Sequence, residues 1–416
     1  MRLEARRAAA IAVVAAVVAV VVAGAVTLAN HDGGKGSSPQ GTPSLPPVGS
    51  PAPRINGWIT AGPSGIKDNG GKTIRLTGVA EGRMNQCKPM VPRDNQAATL
   101  QRLGFNTVRL AISWAATEPT PPTRAPDGSW QHHWDAGYLS KVDQAVSVFK
   151  DHGIAVILDM HQVRLSSLFE RSSGSMPGTG ASGCPNVSLP AWVFAGLGSK
   201  QQQQAVCDFF TDTRAPQATI APYEALSTVW QQYARRYANE STVIGADVYN
   251  EPYVVDACPT VQRENLARFY GVVGTAIRQV NPKITLIFQD VAYEAYQRAG
   301  LQLTTLPALS NIIYSWHFYP TSWKSGMAGL AAHVERARAL KVPLWLGEFD
   351  AFGAANNNGR RQNPDWQSDL ATMMAYCRAN NISWALWEYR ARGSSLVDLM
   401  TGEPKEPLTR YLQSGF

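Results

Sequence analysis

The sequence predicts an α/β protein that folds as a (β/α)8 TIM barrel, and three observations lead to this class. Eight short apolar runs recur along the chain, helical patterns lie between them, and the runs are nearly continuous in apolar residues. Strands that are buried on both faces, as in parallel sheets, read in this way. Eight strand–helix units in one domain favour a closed parallel barrel. A doubly wound open sheet is the alternative, but the sequence lacks the Gly-rich phosphate turn that such a sheet would want after an early strand.

The strands are predicted from the apolar runs, and the helices from the segments between the runs. Residues 138–153 and 266–282 carry apolar side chains at helical spacing and end at a Gly or an Asn-Pro pair, which stop a helix. The predicted strands are residues 74–80, 106–112, 154–160, 244–250, 284–288, 311–317, 343–348 and 383–388.

The N-terminal part is predicted to direct the rest of the chain out of the cytosol. Residues 8–29 carry no charge and follow three arginines. At about 1.5 Å per residue, a helix of this length spans the roughly 30 Å core of a bilayer. We interpret residues 1–31 as an uncleaved signal anchor or a cleaved signal peptide, and residues 32–54, rich in Gly, Ser and Pro, as a disordered linker. Residues 55–416 then form an extracytoplasmic barrel domain, either membrane-anchored or secreted.

Charge and cysteine content narrow the partners and the compartment. The formal charge of +7 is spread along the chain without a basic block, which excludes a nucleic-acid-binding stripe. The five cysteines suit an oxidising compartment, and none has the spacing of a zinc site. Cys377 is expected to be a buried free thiol. The other four cysteines allow three pairings, of which we prefer Cys184 with Cys207. We expect a monomer.

Polar and aromatic side chains gather where the predicted strands end. The reactive groups of a barrel lie at the C-terminal ends of its strands, and a purely structural barrel has no reason to collect titratable groups there. The candidate site residues are Arg109 on strand two, His161 on strand three, Asn250 and Glu251 on strand four, His317 and Tyr319 on strand six, Glu348 on strand seven and Trp387 on strand eight.

Glu251 and Glu348 are the candidate catalytic pair, and they suit hydrolysis of a glycosidic bond. This reaction uses two carboxyl groups that flank the sugar carbon, one as the acid and the other, in a retaining enzyme, as the nucleophile. Strands four and seven face each other across an eight-stranded ring, so the two carboxylates can meet over the barrel axis. Arg109 and Tyr319 are expected to hydrogen-bond Glu348 and keep it ionised.

The remaining candidates fit supporting roles at such a site. Asn250 suits the 2-hydroxyl of the sugar, where hydrogen bonds strengthen in the transition state. Trp387 offers a flat apolar face to a sugar ring. His161 and His317 are expected to be neutral hydrogen-bond partners, and Asp159 a buried acceptor that supports the site.

Six motifs in order resemble glycoside hydrolase family 5, the cellulase family of retaining barrel glycosidases. The resemblance covers roughly residues 60–410 and rests on NTVRL, LDMH, YNEP, WHFY, LGEF and ALWEY. It implies Glu251 as acid/base, Glu348 as nucleophile and the other six candidates as substrate-binding or supporting residues. It implies no metal and no organic cofactor. The implied substrate is a β-linked glycan, with a β-glucan as the default.

Endoglycoceramidase-like members of that family are similar to this chain in two further stretches, GIAVILDMHQ and YEALSTVWQQYARRYA. They usually continue with Asp after that Gln and with Trp after Asn-Glu-Pro, where this chain has Val163 and Tyr253. The long segment 162–218 can shape a binding cleft of its own. A glycolipid hydrolase and an envelope transglycosylase are therefore alternatives, and a non-catalytic carbohydrate-binding barrel is the alternative from another class.

Overall fold

The structure is a computed structural model, and it describes most of the chain beyond the N-terminal segment. Residues Leu45–Phe416 form one compact unit. The apolar segment 8–29, Cys184, Val163 and Tyr253 lie outside the described residues, and no helix within the described part is long and apolar enough to cross a membrane. The described residues are 45–162, 164–166, 168, 188–252, 258, 263–290, 303–320, 323–351, 364–390 and 395–416.

All eight predicted strands are present, and they close into one parallel barrel. Each strand pairs with its neighbours in sequence, and the last strand pairs with the first, which confirms the (β/α)8 fold. The first predicted strand is divided, because Ile74 belongs to a separate small sheet and the barrel strand begins at Thr77. The barrel strands are β1 (Thr77–Glu81), β2 (Thr107–Ile112), β3 (Ala155–Met160), β4 (Val243–Asp247), β5 (Thr285–Gln289), β6 (Ile312–Phe318), β7 (Leu344–Phe349) and β8 (Ser383–Leu386).

Within the described residues, a helix follows each barrel strand except β5, and residues 291–302 after that strand lie outside the described part. Local sequence sets the limits of the helices: the Asp135 side chain accepts a hydrogen bond from the Tyr138 N–H at 2.7 Å and starts one helix, while Gly104, at φ 87°, ends another. The helices are α1 (Asp94–Leu103), α2 (Trp114–Thr117), α3 (Ala136–Asp151), α4 (Gln202–Thr211), α5 (Pro222–Arg236), α6 (Arg263–Val280), α7 (Trp323–Leu340), α8 (Trp366–Ala379) and α9 (Leu408–Gln413), with a 3-10 turn at Ala191–Phe194.

Within the described residues, three smaller sheets lie outside the barrel sheet. The strands Thr60–Gly62, Gly65–Lys67 and Thr73–Ile74 form an antiparallel sheet that packs against the N-terminal end of the barrel. Thr123–Arg124 pairs with Trp130–Gln131, and Arg164–Ser166 pairs with Ser188–Leu189. The last pair and α4 lie within the long segment that the sequence places after the third strand.

The barrel interior has an apolar lower part and a charged upper part. Ile157, Ile244, Ile287 and Ile313 pack in one cluster with isoleucines of the small antiparallel sheet, which closes the lower end of the barrel. Side chains two positions apart on a strand share a face, so Asp159 lies above Ile157 inside the barrel. The charged residues therefore meet at the C-terminal ends of the strands, on a rigid apolar base.

The described half of the predicted linker contacts the barrel domain. The Gly49 N–H donates to the carbonyl of Gln413 at 3.1 Å, and the Ala52 N–H donates to the carbonyl of Gly104 at 3.0 Å. Leu45–Arg54 has no helix or strand, but it belongs to the same compact unit as the barrel.

The predicted disulfide between Cys184 and Cys207 is wrong, because Cys207 is bonded to Cys258. The Cα atoms of Cys207 and Cys258 lie 5.4 Å apart, although 51 positions separate the two residues in sequence. Cys207 lies on α4, which packs against α6, and Cys258 lies in the connection from β4 to α6. Proximity in the chain favoured the wrong partner, since the fold and not the loop brings the two sulfur atoms together. Cys377 is a buried free thiol, as predicted.

Candidate active site

A fully buried arginine, Arg109 on β2, joins the carboxylates at the centre of the site. Its guanidinium contacts Glu348 Oε1 at 2.5 Å, Asp247 Oδ2 at 2.9 Å and Asp159 Oδ1 at 3.0 Å. It also donates from Nη2 to Asn250 Oδ1 at 2.8 Å. Burial lowers the pKa of Arg109, but the three carboxylates raise it more, so the net pKa lies above its usual value. The arginine is a fixed positive charge against which Glu348 is held.

The backbone after β4 presents Glu251 to the open end of the barrel. Glu251 has φ 43°, in the left-handed region that non-glycine residues seldom adopt, and such strain is concentrated at functional sites. Its N–H donates to Gln289 Oε1 at 2.8 Å, and the preceding Asn250 N–H donates to the Met160 carbonyl at 3.0 Å. Gln162 donates from Nε2 to the Asn250 carbonyl. Neighbouring strands thus hold this turn on both sides.

His317 on β6 lies between the two glutamates. Its Nδ1 is 2.8 Å from Glu251 Oε1 and 3.4 Å from Glu348 Oε2. Burial lowers the pKa of His317 to about 3 despite the nearby carboxylates, so the ring is neutral at physiological pH, as predicted. Oxygens of Glu251 and Glu348 lie within 4.8 Å of each other and of the imidazole.

Tyr319 completes the contacts of Glu348. Its hydroxyl donates to Glu348 Oε2 at 2.9 Å, while Arg109 binds the other carboxylate oxygen. Burial, together with the charge of Glu348, raises the pKa of Tyr319 well above its usual value, so it remains a donor. Gly347 leaves room for this arrangement, because a Cβ there would lie 3.0 Å from His317 Nε2 and 2.7 Å from Ser315 Oγ.

His161 differs from the expectation of a neutral ring. Its Nδ1 lies 2.8 Å from Asp159 Oδ2, and its ring stacks on Trp387 with centroids 4.9 Å apart and planes 9° from parallel. Burial lowers the pKa of His161, but the charge of Asp159 and the hydrogen bond to it raise the pKa more, so the net shift is upward and favours the imidazolium. Part of the Trp387 ring therefore faces His161 and not a ligand.

All eight residues singled out from the sequence lie at this end of the barrel, in one connected network. The network also contains residues that strand-end reasoning did not assign. Asp247 binds Arg109, and Gln289 and Gln162 hold the turn at Glu251. Asp159, which was predicted to be a buried acceptor that supports the site, also binds Arg109. A signal for Asp247 was present, since a charge inside the apolar run IGADVYN needs a buried partner. Burial raises the pKa of Asp247 to about 7 against the opposing effect of Arg109.

The site supplies its own positive charge. Glu251, His317 and Glu348 each present a ligand atom within 4.8 Å of the others, a spacing that suits a metal ion. The Arg109 guanidinium already lies 2.5 Å from Glu348 and would repel a second cation. We therefore interpret the three residues as a carboxylate pair with its histidine, and we assign them no metal.

Solved structures with the same fold include an endo-glycoceramidase and an endogalactoceramidase. Endo-glycoceramidase II from Rhodococcus sp., in its ganglioside GM3 complex, superposes with a TM-score of 0.65 at 22% identity, covering 84% of this chain and 81% of that one. An endogalactoceramidase superposes with a TM-score of 0.64 at 22% identity, covering 86% and 84%. At this identity the likeness establishes the fold alone.

Sequence relatives and a family profile extend the comparison. An endoglycoceramidase from Cyanea nozakii is 24% identical over 318 residues, or 71% of this chain and 60% of that protein. One from Hydra vulgaris is 22% identical over 320 residues, or 71% and 57%. The chain thus spans about 60% of the length of these relatives. The profile of the cellulase family matches residues 67–393, well over half of the chain. The chain therefore belongs to the cellulase family, glycosyl hydrolase family 5.

Proposed function

We propose that this protein is a retaining β-glycosidase in which Glu348 is the nucleophile and Glu251 the acid/base. One observation carries the proposal: oxygens of the two carboxylates lie within 4.8 Å of each other. Retaining glycosidases place their two carboxyl groups about 5–5.5 Å apart, whereas inverting enzymes need about 6.5–9.5 Å to admit a water molecule. The short spacing favours direct attack by a carboxylate.

The contacts of each glutamate decide which role it takes. Glu348 receives the Arg109 guanidinium and the Tyr319 hydroxyl, two donors that stabilise an ionised carboxylate. Glu251 has the neutral imidazole of His317 at 2.8 Å. Glu348 is thus set to remain charged and attack, while Glu251 is set to hold and release a proton.

In the first step, Glu348 attacks the anomeric carbon as the bond to the leaving oxygen breaks. Glu251 gives its proton to that oxygen, and a covalent glycosyl-enzyme ester forms. Because the ester has lost the charge of Glu348, the pKa of Glu251 falls, so Glu251 remains an ionised carboxylate that can act as the base in the second step. In the second step, Glu251 takes a proton from water, the water oxygen attacks the anomeric carbon, and Glu348 is released as a carboxylate.

Asn250 and Trp387 are proposed to bind the sugar. Asn250 accepts from Arg109 through Oδ1, which orients its Nδ2 amide as a donor for the 2-hydroxyl next to the reacting carbon. Trp387 is half-buried and presents the part of its ring that His161 does not cover. The Arg109 network thus fixes substrate-binding groups as well as the nucleophile.

We propose a glycolipid head group as the substrate, ahead of the β-glucan that the motifs alone suggested. The support is the pair of endoglycoceramidases that match over 318 and 320 residues. The chain is proposed to act outside the cytoplasm as a monomer, tethered or released according to the processing of residues 1–31. A screen of glycosphingolipids against soluble β-glucans and β-mannans tests the substrate, and release of sugar from the glucan alone would refute the glycolipid.

The reaction is tested with 4-nitrophenyl β-glucoside, β-galactoside, β-lactoside and β-cellobioside. We expect Glu348→Gln to lower turnover at least 1000-fold, because the amide cannot form the ester. Wild-type rates in this variant would overturn the assignment. Glycan binding without any turnover by the wild type would instead support a carbohydrate-binding barrel. Transfer of the sugar to an added acceptor in preference to water would identify a transglycosylase.

A further inference from the structure

Glu388, the residue after Trp387, is a half-buried carboxyl group at the junction of β8 and β1. Its Oε2 accepts a hydrogen bond from the Gly82 N–H at 2.8 Å. The backbone around it is held on both sides, because the Tyr389 N–H donates to the Ala80 carbonyl at 2.9 Å and the Leu396 N–H donates to the Glu388 carbonyl at 3.1 Å. The side chain therefore has a fixed position beside the sugar-facing tryptophan.

Gly82 lets the Glu388 carboxyl group pack directly against the backbone. A Cβ at position 82 would lie 2.4 Å from Glu388 Oε2, a distance that side chains do not tolerate. The absence of a side chain lets the carboxyl group approach the backbone N–H closely. Local packing thus directs the Glu388 side chain into the mouth of the barrel.

No lysine or arginine of the described residues forms a salt bridge with Glu388. Arg83 is instead bidentate to the buried Glu81 at 2.9 and 3.1 Å, and Gln96 donates to the same carboxylate at 2.6 Å. Among the charged groups that act on Glu388, the negative Glu81 and Glu348 raise its pKa, whereas His161 lowers it. Burial and the charge of Glu81 raise the pKa of Glu388 to about 8, although the Gly82 N–H lowers it.

We propose that Glu388 is a sugar-binding residue, which donates a hydrogen bond as a neutral carboxylic acid to a hydroxyl of the sugar unit held against Trp387. Oε2 is already an acceptor for Gly82, so the proton is carried by Oε1 and directed to the ligand. A donor is useful here because the neighbouring Glu81 and Glu348 carboxylates offer only acceptors. This role deepens the proposed glycosidase function and rests on it for the identity of the ligand.

The test measures kcat and KM between pH 6 and pH 9.5 on whichever of the four aryl glycosides the wild type cleaves best. We expect the wild-type KM to rise about tenfold as pH passes 8, while kcat is unaffected by this residue. The Glu388→Gln variant keeps a hydrogen-bond donor, so its KM at pH 7 should stay within about threefold of wild type. Its KM should not rise as pH passes 8. Glu388→Ala and Gly82→Ala should raise KM about tenfold at pH 7.

Two outcomes would overturn the role of Glu388. One is a KM rise that persists unchanged in Glu388→Gln; the other is a fall in kcat of Glu388→Ala at constant KM. Glu335→Gln, at an exposed glutamate of α7, is the matched control and should match wild type. Thermal unfolding of each variant separates misfolding from lost binding.

A second measurement tests sugar binding by Glu388 independently of the proposed hydrolysis. Calorimetric titration of lactose and cellobiose at pH 6.5 and pH 9 needs no turnover. Binding that weakens at pH 9 in the wild type but not in Glu388→Gln would support the role even if no glycoside is cleaved. Equal binding at both pH values, or no binding of either disaccharide, would contradict it.

Discussion

Arg109 Nη1 lies 2.5 Å from Glu348 Oε1, and this contact connects the proposed nucleophile to the interior of the barrel. The same guanidinium binds Asp247 and Asp159, so three carboxylates of β3, β4 and β7 meet at one side chain of β2. Removing one partner from a buried charge network leaves the others unpaired, which costs more than the network itself contributes. The arginine thus serves both the reaction and the fold.

The Arg109→Lys substitution should therefore lower both the catalytic activity and the stability of the fold. An ammonium group cannot reach Glu348, Asp247 and Asn250 at once, as the planar guanidinium does. We expect kcat/KM to fall at least 100-fold and the free energy of unfolding to fall by about 3–5 kcal/mol. Urea unfolding and aryl glycoside hydrolysis measure the two effects. Arg236→Lys is the control, because Arg236 pairs with Asp143 at the surface and should change stability by less than about 1 kcal/mol.

Tyr319→Phe should impair the reaction without harming the fold. The change removes one hydrogen bond to Glu348 Oε2 at 2.9 Å, and bonds to charged groups are worth about 1.5–3 kcal/mol. We expect kcat/KM to fall about 10- to 100-fold, with thermal unfolding near that of wild type. Tyr237→Phe loses a comparable hydrogen bond to Asp143, far from the site, and should keep full activity. Equal activity of the two variants would argue against a role for Tyr319.

Glu251→Ala should affect substrates according to their leaving groups. A good leaving group such as 4-nitrophenolate departs without protonation, whereas an alkoxide leaving group needs the proton of the acid. We expect the alkyl glycoside to be slowed at least 100-fold more than the aryl glycoside in the first step, which pre-steady-state rates would show. A uniform loss across leaving groups would contradict the acid role of Glu251.

The sequence was sufficient to predict the barrel and to place Glu251 and Glu348 together at its open end. Strands that are buried on both faces require apolar runs, and these runs allowed all eight barrel strands to be predicted from the sequence pattern alone. The ends of those runs then pointed to Glu251 and Glu348, because polar groups at strand ends interrupt the pattern. A single sequence could not show which way each side chain of a strand points. Whether Asp247 faces Arg109 or solvent depends on pairing register, which only the closed barrel determines.

Long-range pairings were the part that the sequence left undetermined. Gly82 and Glu388 are far apart in the chain, and they meet only because β8 pairs with β1 to close the barrel. The same limit explains the wrong disulfide, since Cys207 and Cys258 approach through packing of α4 and not through a short loop. The charge state of His161 also depended on the Asp159 contact at 2.8 Å, which composition does not reveal.

The Cys207–Cys258 bond should stabilise the folded domain against unfolding. Closing a loop across 51 positions restricts the unfolded chain and is worth about 4 kcal/mol in the loop-entropy estimate. We expect the Cys207→Ala/Cys258→Ala double variant to lose up to this amount in urea unfolding under oxidising conditions. Cys377→Ala is the control for loss of a buried sulfur, because Cys377 is a free thiol. A stability loss in the double variant no larger than that of the control would contradict a stabilising bond.

His161 should make stability depend on pH in a defined direction. The Asp159 contact outweighs burial and raises the folded-state pKa above the unfolded value of about 6.5. The contribution is therefore complete below pH 6.5 and is lost as pH rises through the folded pKa. We expect His161→Gln to lose about 2 kcal/mol at pH 6 and less at pH 9. The difference from wild type is the measured quantity, because the raised pKa of Asp247 affects both proteins alike. His133→Gln, at an exposed histidine, should show no such difference, and a His161→Gln deficit that is constant with pH would refute the charged pair.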